Sequence, residues 1–297
     1  VVADLLTGPS SSGPSSTAPT TDPSPQSAGL TLLQDHTFTG IIDAGLVMSM
    51  EQAFASAFFS DASDAFDALS ALDQMGDSVI TSNRFVLGGR NLSFASGNYQ
   101  LANDLVIAST DKISLMGQLV FGNLNNNDLI FASATSIEIQ SGTSIKYQAE
   151  SLGMGSFDTV NIIDVDLFAE GELSVRSLDS IVIKNSDMQT ANNGGADFIH
   201  LLAANELSID NLRFSEQVRK IAMDAMTINL SNINFPNGST VELKSQYGGI
   251  NGKYPNFGSK LYGRVNFIEN IRYNSNLINS QPTFDQFGGS ISVGTLK

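Results

Sequence analysis

The sequence predicts an all-β chain wound as a right-handed parallel β-helix, with an extended amino-terminal arm and one capping α-helix. Three observations lead there. Apolar and polar residues alternate from position 84 onward, a degenerate motif recurs along that stretch, and residues 30–235 contain no proline. Alternation places Ile, Leu, Val and Phe on one face of a strand, and that face must pack inward. Short strands of this kind, recurring with tight turns, stack coil upon coil and satisfy their backbone groups between coils. Proline would remove a donor from such a ladder, so its absence fits central strands.

The motif reads DLVIASTDKISL at 104–115, DLIFASATSIEI at 128–139, DLFAEGELSV at 166–175, HLLAANELSI at 200–209 and KIAMDAMTINL at 220–230. Each copy has apolar residues, an alanine, a short polar turn and an alternating apolar pair. A second alternating pair follows: Leu119/Phe121, Ile145/Tyr147, Ile181/Ile183, Leu212/Phe214 and Ile233/Phe235. Ile137, Ile139, Ile145, Val175, Ile181, Ile183 and Ile209 are therefore expected inside. Irregular spacing requires loops, expected at 148–160, 185–196 and 246–262. A β-sandwich also alternates, but the fixed internal order of the motif and the scarcity of hairpin signals favour the solenoid.

Three regions follow. Residues 1–29 form an extended Pro/Ser/Thr-rich arm, with five of the eight prolines inside 7–29. That composition cannot bury enough apolar surface to fold alone. At its start Val1, Val2, Leu5 and Leu6 make a small apolar tip, either a frayed end or a segment that docks. Residues 30–83 hold short strands and a helix expected over 49–75. Ser49 to Gln52 reads as a capping box, Phe54, Phe58, Ala62, Ala65, Leu69 and Leu72 form a stripe at helical spacing, and Gly76 closes the end. A helix with one apolar face packs on something, here the open end of the coil stack. Residues 84–297 are the solenoid with irregular last coils.

The formal net charge is −15, which argues against a nucleic-acid partner. The charge is uneven. Residues 1–83 carry ten acids and no Lys or Arg, whereas residues 236–297 carry three acids and six bases. There is no cysteine, which excludes disulfides, thiolate metal sites and thiol catalysis. The start at Val1 suits a mature product after signal-peptide removal.

DLVIASTDKISL and DLFAEGELSVRSLDSIVI resemble the irregular repeats of filamentous-haemagglutinin-like and autotransporter-like bacterial surface proteins. NLSNINFPNGSTVELKSQYGG, GRVNFIENIRY and GGSISVGTLK resemble the ends of large β-helical secreted proteins. The resemblance spans 84–297 and implies a β-helix that is exported, extracellular or on the cell surface.

Chemistry is sparse. His36 and His200 stand in unrelated contexts and read as strand-surface residues. No G-x-S-x-G, P-loop or dinucleotide pattern occurs. Asp164 and Asp166, two apart, suit a shared outward strand face, a calcium ion or an acid–base pair at a sugar bond. Tyr247, Tyr254, Phe257 and Tyr262 on a glycine-rich loop suit a sugar, a partner subunit or local packing. The expected function is non-enzymatic and needs no cofactor. Subunits stack head-to-tail into an extracellular filament or surface layer, and the arm clasps a neighbour. Val1, Val2, Leu5, Leu6, Tyr247, Tyr254, Phe257 and Tyr262 then form the subunit interface. The alternatives are a monomeric adhesin or polysaccharide-binding domain and, more remotely, a polysaccharide-degrading enzyme.

Overall fold

The computed structural model describes residues 33–40, 42, 47–49, 85–101, 104–123, 128–191, 197–244, 264–273, 276–277 and 290–292. The arm, the segment expected to be the capping helix and the loop aromatics Tyr247, Tyr254, Phe257 and Tyr262 lie outside these residues. The described part is all-β. It is a parallel β-solenoid of three-sided turns. Seven full turns begin at Phe85, Leu105, Leu129, Ser151, Glu172, Phe198 and Lys220, and an eighth begins at Thr240. No helix among the described residues is long and apolar enough to cross a membrane.

Sheet I stacks the first parts of β3 (Phe85–Phe94) and β5 (Leu105–Leu115), then β7 (Leu129–Ser133), β10 (Ser151–Ser156), β13 (Glu172–Ser177), β15 (Phe198–Ala203), β17 (Lys220–Asp224) and β20 (Thr240–Lys244). Its register links Leu105, Leu129, Leu152, Leu173, Ile199, Ile221 and Val241, steps of 24, 23, 21, 26, 22 and 20 residues. Sheet II stacks β1 (Leu33–Phe38), the rest of β3 and β5, β8 (Ser136–Ile139), β11 (Val160–Ile163), the first parts of β14 (Ser180–Thr190) and β16 (Glu206–Phe214), β18 (Thr227–Ser231) and β21 (Arg264–Glu269). Sheet III stacks β4 (Gly97–Leu101), β6 (Gln118–Asn123), β9 (Ser144–Gln148), β12 (Asp166–Ala169), the rest of β14 and β16, β19 (Asn234–Phe235) and β22 (Arg272–Tyr273). Every described pairing between turns is parallel. Antiparallel pairs occur only at the two ends.

All seven residues expected inside are buried, from Ile145, Ile181 and Ile183 at 0 % exposure to Ile139 at 8 %. Alternation produces this directly: in β14, Ile181 and Ile183 point in, while Lys184 is exposed. The upper core is aromatic. Phe38 stacks on Phe94 at 4.8 Å between ring centroids and Tyr99 on Phe121 at 4.8 Å, and Phe131 meets Phe94 and Phe121 edge-on.

Three expectations need correction. Each turn has three strands, not a pair, so Ile181/Ile183 belong to sheet II whereas Leu119/Phe121 and Ile145/Tyr147 belong to sheet III. DLFAEGELSV runs from sheet III into sheet I, out of phase with the other copies, which run from I to II. The true copies are SLGMGSFDTVNII at 151–163 and ELSVRSLDSIVI at 172–183. Consequently 148–160 is not a loop, because β10 lies inside it, and strand β14 continues to Thr190. The glycines at 153 and 155 mask the alternation of Leu152 and Met154, which is why that copy escapes notice.

The corners have their own chemistry. Between sheets I and II, Ser109, Ser133, Ser156 and Ser177 are buried, one per turn. Each hydroxyl donates to a carbonyl in the preceding turn: Ser133 to Asp111 at 2.7 Å, Ser156 to Thr135 at 2.7 Å and Ser177 to Asp158 at 2.8 Å. Between sheets II and III the backbone turns through a left-handed residue. Among the described residues, all five non-glycine residues with positive φ lie there: Asp164, Asn185, Asn211, Asn232 and Asn270. Gly117 and Gly142 hold that conformation at the same corner in turns two and three. Asn and Asp tolerate it better than other side chains.

Candidate functional site

Two places merit description, the outer face of sheet I and the carboxy-terminal end of the stack. On sheet I the residues between the inward ones point outward, and in turns five to eight they are polar. Ser174, His200, Ala222 and Glu242 form one file, and Arg176, Leu202, Asp224 and Lys244 form the next. Arg176 is buried and donates from Nε to Ser174 Oγ at 2.9 Å. Glu242 pairs with Lys220 at 3.5 Å and with Lys244 at 3.8 Å. The Phe198 ring lies 5.0 Å from Lys220 Nζ and 5.5 Å from the His200 ring.

Burial dominates the electrostatics here. It pulls His200 down to about 4, helped by Arg176, Lys244 and Lys220. It pushes Asp224 up to about 6, against the pull of Lys244. It lowers Arg176 to about 10 and raises Glu172, with Asp128 adding to the latter. Perturbed groups often mark function. Here, however, three cations (Arg176, Lys220 and Lys244) face three carboxyls (Glu172, Asp224 and Glu242), so the network balances itself. It offers no surplus charge to a ligand. Sequence reasoning treats His200 alone and misses the cluster, because turns of unequal length hide which residues share a file.

The aspartates expected on one strand face are separated. Asp164 sits in the left-handed corner with φ 54° and accepts from Ser141 Oγ at 3.0 Å. Asp166 is on β12, next in register to Asp187, which pairs with Arg213. Val165 between them is buried. Among the described residues no group of three or more potential metal ligands gathers anywhere. His36 lies on β1 with its ring 4.3 Å from that of Phe38.

The two ends of the stack differ. At the leading end β1 pairs with one part of β3 in sheet II, and β2 (Val47–Ser49) pairs antiparallel with the other part in sheet I. Both therefore stand at the same level. At the trailing end β24 (Ser290–Ser292) adds an antiparallel strand to β20, and β23 (Asn276–Leu277) adds one to β22. Sheets I and III thus extend one level beyond the eighth turn. Among the described residues nothing pairs with the outer edge of β21, so sheet II ends one strand short. The only large hydrophobics exposed among the described residues are beside this notch: Ile268 at 65 % and Leu277 at 47 %. Ile268 stands out because the register slips between Leu230 and Ser231 opposite it. At the other end Asp35 is exposed and holds Arg90 and Asn91, which keeps its carboxyl below the ordinary range.

Comparison with protein-family models, with curated proteins and with solved structures gives no match.

Proposed function

We propose that this protein is a structural, self-assembling β-solenoid. Its subunits stack head-to-tail into a filament or layer outside the cell, in the manner of filamentous-haemagglutinin-like and autotransporter-like bacterial surface proteins. The winding is right-handed, the arm ties one subunit to the next, and no catalysis is involved. The observation that carries this proposal is the trailing end. An unpaired strand edge among the described residues, flanked by exposed Ile268 and Leu277, is a feature that single-chain proteins blunt or cover. Two unlike ends make a heterologous contact, which need not close into a ring. Charge favours the same polarity, because residues 1–83 carry ten acids and no base while residues 236–297 carry six bases and three acids.

Negative-stain microscopy of the purified chain across a salt series tests this. Filaments that shorten with salt are expected. Dispersed short rods at every salt concentration would support a monomeric adhesin or polysaccharide-binding domain instead.

A further inference from the structure

The proposal of end-to-end assembly leaves a geometric remainder. At the leading end β1 and β2 share one level, while at the trailing end β24 stands one level beyond β21. If the incoming copy sets its β2 against β24, its β1 lies two strand spacings, about 9.6 Å, from β21. Sheet II then lacks a single strand. That gap has unpaired backbone edges on both sides among the described residues, with Val265 and Phe267 facing inward beside it. Such a slot takes one extended segment with one apolar face.

We propose that this strand is Val1–Leu6 of the incoming copy, inserted between its own β1 and the β21 of the preceding copy. The inference rests on the assembly proposed above. Several features match. β21 has six residues, and the tip has six. With period-two alternation Val1, Ala3 and Leu5 fall on one face, suited to Val265 and Phe267, and Asp4 falls on the other. The tip and arm carry only acids, Asp4 and Asp22, while Arg272 is exposed on the receiving end. Residues 7–32 separate the tip from β1 and are more than enough to turn back by one strand. A second copy is needed because the slot requires both edges. Within one chain β1 and β21 are eight levels apart, roughly 38 Å at about 4.8 Å each. An isolated subunit therefore offers the tip two single edges and no slot.

Because the chain has no cysteine, thiol cross-linking tests this cleanly. One preparation carries Leu5→Cys and another Ile268→Cys, and the two are mixed and treated with a short bis-maleimide. Expected is a covalent dimer of one chain of each kind, roughly a hundredfold above a control pairing Leu5→Cys with Lys184→Cys, because a docked tip is at millimolar local concentration. A Leu5→Cys/Ile268→Cys double variant should give a ladder of oligomers. Closure of that double variant into a cross-linked monomer would overturn the proposal, since the tip would then dock on its own subunit. Filaments that form with no cross-link would also overturn it, leaving assembly intact and another segment in the slot. Cross-linked pairs without filaments would support the inserted strand and remove the filament.

Discussion

The side-chain amide of Asn270 donates to Oδ1 of Asn232 at 2.9 Å, one turn below, and both residues sit at positive φ, 48° and 52°. Asn211 and Asn185 repeat the arrangement at 3.0 Å. One side chain thus meets two demands at the corner: it tolerates the left-handed backbone, and it ties adjacent turns together.

Replacing Asn211 separates those demands. Asn211→Gly loses the tie but relaxes the backbone and should cost about 1 kcal/mol. Asn211→Ala loses the tie and adds left-handed strain of about 1–2 kcal/mol. Urea unfolding should therefore rank wild type above Gly and Gly above Ala. Ala equal to or above Gly would show that the corner conformation is wrongly assigned.

The serine corner predicts a smaller effect. Ser133 donates to the Asp111 carbonyl, but that carbonyl also accepts from the Thr135 backbone N–H at 3.1 Å. Removing the hydroxyl leaves no orphan, and Ala203 already fills the register position next to Ser177. Ser133→Ala should cost about 1 kcal/mol, the net value of one hydrogen bond. A loss of several kcal/mol in the same urea assay would mean that the serines hold the corner themselves.

These corners explain what was legible in the sequence. Inward residues such as Ile181 and Ile183 follow from period two alone, because burial acts on each strand separately. The motif A-S-x-D at 108–111 is readable as a turn, though not its stacking. The asparagines at 185, 211, 232 and 270 were visible too, each just before an alternating pair, but spacings of 26, 21 and 38 residues conceal their common place. Phase is a property of whole turns, and turns here vary from 20 to 26 residues between Leu105 and Val241. The His200–Asp224 neighbourhood depends on that phase, as does the missing strand beside β21. Neither can be read before the turns are aligned.

The core tolerates no charge. Ile183 is 0 % exposed, with Ile162 and Ile209 as its register partners. Ile183→Asp buries an unpaired carboxylate at a cost of several kcal/mol, comparable with a typical total stability of about 5–15 kcal/mol. The variant should lose its β-sheet circular dichroism and become protease-sensitive. Val182→Asp, one residue away on the outward side, should fold. Equal behaviour of the two would refute the inward face.

The pH response of the sheet I network follows from two opposed shifts. Asp224 rises from 3.8 to about 6 in the fold, so between those values the unfolded chain has released a proton that the folded chain keeps. Its contribution is full below pH 3.8 and is lost as pH rises through about 6. His200 falls from 6.5 to about 4, so between those values the unfolded chain binds a proton that the folded chain refuses. Its contribution is full above pH 6.5 and is lost as pH falls through about 4. Each slope is at most about 1.4 kcal/mol per pH unit for one proton, and less where water reaches the half-buried groups. Between pH 4 and 6 the two oppose each other, and wild-type stability should be nearly level. His200→Gln leaves the aspartate alone, and its stability should fall as pH rises from 4 to 6. Asp224→Asn leaves the histidine alone, and its stability should rise over the same interval. Urea titrations at half-unit pH steps decide the matter. Parallel curves for all three proteins would show that neither group changes its proton affinity on folding, and would remove the buried network from the outer face of sheet I.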